Sequence, residues 1–531
     1  MSGECCGDEV KEYNKMIHLK IDNNDITVPE GTSVLDAAKA LGISIPTMCY
    51  LNNGFDNHPS CMVCLVKDKK TGNLVSSCAL KVAEGMDIAS EDADVKDARK
   101  EALELLLSDH IGDCEAPCSL TCPAGMDIPK MNRLIAAGKF DEALKVVKET
   151  IALPYVLGYI CPAPCEKACR RKQVDEPVSI CILKRFTAQS DRSVELQIQP
   201  KNKKVGIIGT GPAGLAAAYY LLEQGYHCVL FDKNEQAGGN LRYAIPDDHL
   251  PKKALDTEVE IIRMMGAEFR FNSLVTAENF DAEIRRKFDA VIIATGDTTV
   301  SGHLTSLFEN NKAGISADEG TFVTSLPGVF ACGSVTRSQK MAVRAVAQGK
   351  VAAMSAHLYV SGKEIQAPHK MFNSRFDKLL PIEVDEYLKE SVPGKRLLPG
   401  KGQLEGFTPE EAIQEAARCL HCDCRKLDNC KLRIYSDEYK ADRKKYLLGN
   451  RKILSKHIQH NLVVYEPEKC IKCGLCVNIT LQYKEKIGLA YAGRGFDVRI
   501  TVPFGETVKE ALITSAKECV EACPTGALAF K

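Results

Sequence analysis

Residues 203–233, KKVGIIGTGPAGLAAAYYLLEQGYHCVLFDK, decide how this 531-residue chain is organised. A short apolar run, a glycine turn, an apolar helical stretch and a second apolar run follow one another in the order of a βαβ unit. Gly209, Gly211 and Gly214 open the helix, and Asp232 ends the second run 23 residues after the first glycine. In that context the glycines let a pyrophosphate approach the helix N-terminus, and Asp232 is placed to bind a ribose hydroxyl. Taken alone the motif fits NAD(P) or FAD. The nucleotide fold is expected over 201–362, and the polar, Pro/Gly-rich stretch 363–414 reads as a linker.

Outward from this fold the chain is crowded with thiols, 24 in all. A leader of the signal type is not evident in MSGECCGDEVKEYN, and no run approaches the roughly 18 apolar residues of a membrane span. A large leaderless chain with C-x2-C spacings favours metal over disulfides, which predicts a reducing, cytoplasmic setting. The 69 basic and 70 acidic side chains leave no net field to attract nucleic acid or anionic lipid. Residues 1–15 are expected as a flexible tail. Residues 16–90 begin as two short strands joined by an Asn-Asn turn and a helix capped by Thr32 or Ser33, 91–200 read as mostly helical, and 415–531 carry nine further cysteines.

The thiols fall into sets. Cys49, Cys61, Cys64 and Cys78 form C-x11-C-x2-C-x13-C. Their segment resembles a β-grasp ferredoxin and the N-terminal 2Fe-2S domain of the large iron-sulfur subunit of complex I and related hydrogenases. Zinc is the alternative for four thiolates, although the spacing is long for a zinc knuckle. Next come His110, Cys114, Cys118 and Cys122 at four-residue intervals, then Cys161, Cys165, Cys169 and Cys181. This region resembles the helical domain of the glutamate synthase small subunit and of dihydropyrimidine dehydrogenase. The resemblance implies one 4Fe-4S cluster on Cys122, Cys161, Cys165 and Cys169, and a second on Cys114, Cys118 and Cys181. His110 completes the second by analogy with the complex I subunit, where the histidine precedes its cysteines with H-x3-C-x2-C spacing; here it is H-x3-C-x3-C, and a helix-end cap is the bland reading. Cys419, Cys422, Cys424 and Cys430 could close on one 4Fe-4S cube or one zinc.

In the last set, Cys470, Cys473 and Cys476 begin a C-x2-C-x2-C repeat that lacks its fourth cysteine, and a second repeat keeps only Cys519 and Cys523. Two-cube ferredoxins exchange the fourth ligand between repeats, so the losses fall on one cube. One 4Fe-4S cluster is expected on Cys470, Cys473, Cys476 and Cys523, with Cys519 an ordinary thiol. Cys5, Cys6, Cys228 and Cys332 read as non-ligands.

The stretches around Gly239, Asn240, Leu241 and Arg242, around Thr295 and Gly296, and around Gly333 and Ser334 resemble the FAD domain of the glutamate synthase family. The resemblance favours FAD and places Gly209, Gly211, Ala213, Gly214, Asp232 and Lys233 at its phosphates and ribose. An Asp usually stands where Ser334 does. Only 36 residues separate Gly296 from Gly333, where that family inserts an NAD(P)H domain of roughly 100 residues.

The expectation is thus a multidomain α/β and α+β protein: a β-grasp 2Fe-2S domain, a helical domain with two 4Fe-4S clusters, a Rossmann-like FAD domain and a C-terminal ferredoxin-like domain with two more. The resemblance implies an electron-transfer subunit partnered by a nicotinamide-binding FMN subunit and a hydrogenase- or formate dehydrogenase-type catalytic subunit, with ferredoxin and electron bifurcation as further options. The alternatives are a self-contained ferredoxin-dependent FAD reductase and a scaffold with silent clusters. No His or Cys constellation in 204–362 marks a catalytic group.

Overall fold

A computed structural model describes residues 15–51, 59–189, 199–297, 302–311, 314–376, 378–447 and 452–531. The expected N-terminal tail, with Cys5 and Cys6, lies outside them except for Lys15. The chain divides into two compact units: Met1–Glu115 with Met371–Lys389 and Asp423–Lys531, and Ala116–Lys370 with Glu390–Cys422. The serial domain order read from the sequence is therefore interleaved in space. The stretch 363–414 serves both units and carries two helices, Pro381–Leu388 and Pro409–Ala416, so it is more than a linker. Thr408 and Glu411 form a reciprocal cap on the second helix, a signal its Pro/Gly-rich surroundings obscured.

In the first unit, strand Met16–Ile21 buries Ile17, Leu19 and Ile21 on one face, as an alternating pattern requires. It pairs antiparallel with Asn24–Pro29 through Asp22 and Asn23, both left-handed at φ 48° and 67°. The turn lies one residue earlier than the expected Asn-Asn pair, because a two-residue turn of this hand accepts Asp first and the register puts Asn24 opposite Ile21. Strand Asp87–Ala89 pairs parallel with Met16–Ile21, and Leu65–Asp68 and Leu74–Ser76 complete a five-stranded sheet. Helix Val34–Ala40 packs on it, capped by the Ser33 hydroxyl, which accepts from Asp36 N at 3.1 Å. The C-terminal part pairs Val463–Tyr465 with Leu528–Phe530 and packs helices Leu475–Gln482 and Ala516–Ala522 around Ile479, Cys519 and Val520.

The second unit joins a helical region to a parallel sheet of five strands, ordered Val329–Ala331, Ala290–Ile293, Lys204–Ile208, His227–Phe231, Glu268–Arg270. Helix Pro212–Glu223 lies against helix Ala342–Val360, and Gly349 permits it: a Cβ there would stand 2.2 Å from Ala213 O. In the helical region Pro154–Ile160 packs against Ile180–Gln189 just as closely, with Gly158 facing Arg185. Among the described residues, the connection from Ile293 to Val329 adds to this sheet no further strand; it contains the short pair Asn310–Asn311 and Gly314–Ile315.

Candidate functional site

At the carboxyl ends of the parallel strands a cavity of about 560 Å3 opens beside the N-terminus of helix Pro212–Glu223. Gly209, Gly211, Ala213, Asp232, Lys233, Gly239, Asn240, Leu241, Thr295, Gly296, Gly333 and Ser334 all border it. Gly209 has φ 102° and sits so close to the next strand that a Cβ would meet Ala294 O at 2.4 Å. Gly211 faces open space, which leaves the helix end accessible to a phosphate. Gly214 borders the helix turn instead of the cavity; a Cβ there would be 1.9 Å from Gly209 O, so its role is close packing. Arg242 is turned away, donating to Ala237 O and pairing with Asp256.

Asp232 borders the cavity with a carboxylate already well supplied. One oxygen accepts from Thr210 N and Oγ1, at 2.8 and 2.5 Å, and the other from Asn234 N and Nδ2, both at 2.9 Å. Two buried polar atoms of cavity residues, Thr295 Oγ1 and Gln339 Oε1, have no hydrogen-bond partner within the protein. Buried polar atoms are normally satisfied, so a polar ligand with hydroxyls or a ring edge fits here. Gln348 Oε1 accepts from Gly333 N at 2.9 Å and from Gln339 Nε2, fixing the loop where Ser334 stands. Gln339 and Gln348 were not legible as site residues, since a glutamine on a helix or loop carries no spacing signal.

The sulfurs of Cys49 and Cys61 stand 3.4 Å apart, and so do those of Cys64 and Cys78. With metal–sulfur bonds of about 2.3 Å, two thiolates on one tetrahedral metal lie roughly 3.8 Å apart, so each pair approaches the spacing for one iron and the two pairs suit a two-iron group. The hydrogen bond with Cys78 draws the Cys64 thiol down to about 6.

In the second unit Cys122, Cys161, Cys165 and Cys181 line one small cavity with Lys184. Cys169, expected in this group, does not line the cavity, and Cys181, expected in the other group, does. Cys181 sits in the first turn of helix Ile180–Gln189, which packs along Pro154–Ile160, the helix that ends at Cys161. A hydrogen bond with Cys181 draws Cys161 down to about 6. Cys169 follows the short helix Pro164–Lys167 and is a neighbour of Cys118 instead. Burial first, and then the charges of Cys419, Cys169 and Cys422, push the Cys118 thiol up.

The boundary between the two units falls within the run Cys419 to Cys430, between Cys422 and Asp423, next to left-handed His421 at φ 49°. The division also falls between Glu115 and Ala116, so of the expected group His110 and Cys114 belong to the first unit and Cys118 and Cys181 to the second. In the first unit, burial and then Cys424 push Cys430 up to about 12, with Cys114 a further contributor. Ser374 N donates to Cys114 Sγ at 3.3 Å. His110 is buried and its Nδ1 has no hydrogen-bond partner; burial, then Lys469, lower its pKa to about 4, leaving the imidazole neutral. Lys469 also neighbours Cys114 and Cys424.

Cys470, Cys473, Cys476 and Cys523 line a small cavity of their own, while Cys519 lies in the core and donates to Cys476 O at 3.8 Å. Cys228 and Cys332 are buried in the sheet. Among the described residues no three His, Cys, Asp or Glu side chains close in on a single metal-ion position. No helix among them is long and apolar enough to cross a membrane.

Comparison with known proteins follows the same division. Residues 14–93 match the family model of a 2Fe-2S iron-sulfur cluster binding domain, 92–196 that of dihydropyrimidine dehydrogenase domain II, 4Fe-4S cluster, and 207–275 that of an NAD(P)-binding Rossmann-like domain. The chain is 39% identical over 188 residues to the NADPH-Fe(3+) oxidoreductase subunit beta of Geobacter sulfurreducens, covering 34% of this chain and 28% of that one. It is 35% identical over 240 residues to the NADP(+)-dependent formate dehydrogenase subunit beta of Moorella thermoacetica, 40% and 32% of the two chains. With the NAD-dependent dihydropyrimidine dehydrogenase subunit PreT of Escherichia coli the figures are 37% over 214 residues, 38% and 50%. The chain thus spans half or less of these relatives. It carries separate 2Fe-2S, 4Fe-4S and Rossmann-like flavin-nucleotide domains and a further C-terminal region of helices and short strands.

Proposed function

We propose that this chain is an electron-transfer subunit of a multi-subunit cytoplasmic oxidoreductase, holding one FAD, one 2Fe-2S and four 4Fe-4S groups. One observation carries the reading: Ala342 borders the dinucleotide cavity, and the next residue, Val343, lines the cavity of Cys122, Cys161, Cys165 and Cys181. A flavin and an iron-sulfur group would therefore adjoin at the first turn of helix Ala342–Val360. Bound FAD supplies the exchange between paired and single electrons.

The five sulfur sites are assigned to Cys49, Cys61, Cys64 and Cys78; to Cys470, Cys473, Cys476 and Cys523; to Cys122, Cys161, Cys165 and Cys181; to Cys118, Cys169, Cys419 and Cys422; and to Cys114, Cys424 and Cys430 with His110. His110 completes the last set because its buried Nδ1 is unpartnered and it shares Lys469 as a neighbour with Cys114 and Cys424. Each unit orders its sites. In the first, Cys49 is among the neighbours that raise Cys473, and Cys523 among those that raise Cys430, both after burial, while Cys49, Cys61 and Cys430 pack in one cluster, so the three sites adjoin. In the second, Cys165 is among the thiols that raise Cys118, so the Cys122 group lies between the flavin cavity and the Cys118 group.

The protein's part is to position and insulate. Gly209 and Gly211 leave the helix N-terminus open to the pyrophosphate, Thr295 and Gln339 offer unpaired polar atoms, and Gln348 holds the Gly333 loop. The relatives' names, and the short connection from Gly296 to Gly333, support partners that bind nicotinamide through FMN and a hydrogenase- or formate dehydrogenase-type catalytic subunit, with ferredoxin as a further donor or acceptor. A self-contained flavin reductase is the competing reading.

The test is anaerobic purification from the native host with its partners. The expected result is about 18 iron atoms and one FAD per chain, a copurifying nicotinamide-binding subunit, and no reduction of the isolated chain by NADH or NADPH. Rapid bleaching of the lone chain by NADPH would overturn the relay reading in favour of the reductase.

A further inference from the structure

The cavity of Cys122, Cys161, Cys165 and Cys181 contains a fifth chemical group. Lys184 lies one helical turn after Cys181 on helix Ile180–Gln189, so the two side chains project from the same face. It is only 4% exposed, and its Nζ donates to Cys181 Sγ at 3.7 Å. Among the described residues it makes no ion pair with a carboxylate. The nearest acidic groups are otherwise engaged. Glu166 pairs with Arg396 at 2.6 Å and accepts from Cys181 N at 2.9 Å. Glu258 accepts from Tyr155 N and Val156 N at 2.8 and 3.0 Å and feels both Lys148 and, more weakly, Lys184.

A buried lysine is expensive unless something of opposite charge stands by. Lys184 Nζ is hydrogen-bonded to Cys181 Sγ, in a cavity that Cys122, Cys161 and Cys165 also line. The sulfurs are therefore its counter-ion. A four-thiolate 4Fe-4S group is anionic and gains one further negative charge on reduction, so a fixed neighbouring cation favours the reduced form. Lys469, the buried lysine beside Cys424 in the first unit, is by contrast tied to Glu466 at 2.5 Å.

We infer that Lys184 sets the reduction potential of the cluster held by Cys122, Cys161, Cys165 and Cys181, raising it as a buried cation that makes no ion pair with a carboxylate, so that electrons collect beside the flavin. The inference rests on the cluster assignment proposed above. It makes Lys184 a tuning residue, distinct from the ligands.

Redox titration of the full chain followed by electron paramagnetic resonance, with iron counted in parallel, tests it. In Lys184→Met one 4Fe-4S signal is expected to shift to lower potential by at least tenfold in its reduction equilibrium, which is 59 mV for one electron. The other signals stay in place, and Lys184→Arg titrates close to the native protein. If Lys184→Met keeps its iron and every midpoint is unchanged, or if Lys184→Arg shifts as far as Lys184→Met, the inference is overturned. Should Lys184→Met release iron, the uncharged but polar Lys184→Gln is titrated in its place, and an unshifted midpoint there overturns it equally. Absence of any 4Fe-4S signal in the native chain would instead overturn the cluster assignment itself.

Discussion

The 2Fe-2S site of the first unit and the Cys118 site of the second gather four thiols by opposite routes. Cys49, Cys61, Cys64 and Cys78 come from one stretch that begins after a capped helix and ends beside the same sheet. Cys118 and Cys169 meet Cys419 and Cys422, which belong to a segment that enters the unit only at Glu390. A local site depends on its own loop. A distributed site depends on the whole unit being closed, and conversely helps to close it.

The largest expected effect separates these two cases. Cys422→Ser should lose about four iron atoms per chain and expose 390–422 to limited proteolysis, whereas Cys64→Ser should lose about two and leave the second unit protected. Equal protease sensitivity in the two variants would erase the distinction. Next comes Glu415, fully buried, which accepts from Ser179 N, Leu397 N and Arg418 Nη1, each at 2.8 Å, and so ties the late segment to the helical region. Removing one member of a buried pair leaves the other charge stranded, and Glu415→Ala should cost about 3–5 kcal/mol in denaturant unfolding of the second unit. A loss under about 1 kcal/mol would mean that the cluster alone holds the segment.

A smaller effect is a pH slope confined to the second unit. Burial raises the Glu258 carboxyl to about 7 from its ordinary 4.5. The folded state then binds the proton more tightly than the unfolded state, so stability is greatest below pH 4.5 and falls as pH rises towards 7. Native protein should lose on the order of 3 kcal/mol across that window relative to Glu258→Gln, read as a difference between their melting curves. Parallel curves would rule out Glu258 as the source. The smallest effect belongs to the local site: Ser33→Ala removes the cap of helix Val34–Ala40 and should cost about 1 kcal/mol, with iron content unchanged.

The same contrast explains what could be read in the sequence. Cys470, Cys473, Cys476 and Cys523 line one cavity because a ferredoxin repeat makes spacing and space nearly equivalent, and Gly209, Gly211 and Asp232 border their cavity because a strand, a turn and a helix fix them locally. Cys181 lines the cavity where Cys169 was expected, because spacing does not say which way the chain leaves the short helix Pro164–Lys167. Cys419 to Cys430 looked like a single site because twelve residues seem too few to serve two. The sequence does not reveal that the boundary between units passes through them. Lys184 was equally silent, since a lysine near the start of an apolar helix reads as a solvated side chain until burial is known.

The distance in sequence from Cys169 to Cys419 also sets a clock. A ribosome adding roughly 5–20 residues per second needs on the order of tens of seconds to make the 250 residues between them. For nearly all of that interval Cys118 and Cys169 are thiols without their proposed partners, on a chain that from residue 181 onward carries the complete Cys122 and 2Fe-2S sets. Iron delivery to this protein must therefore be staged, with the local sites loadable on the nascent chain and the distributed one only after residue 422 has been made. Oxidant met during synthesis would strike the waiting pair first.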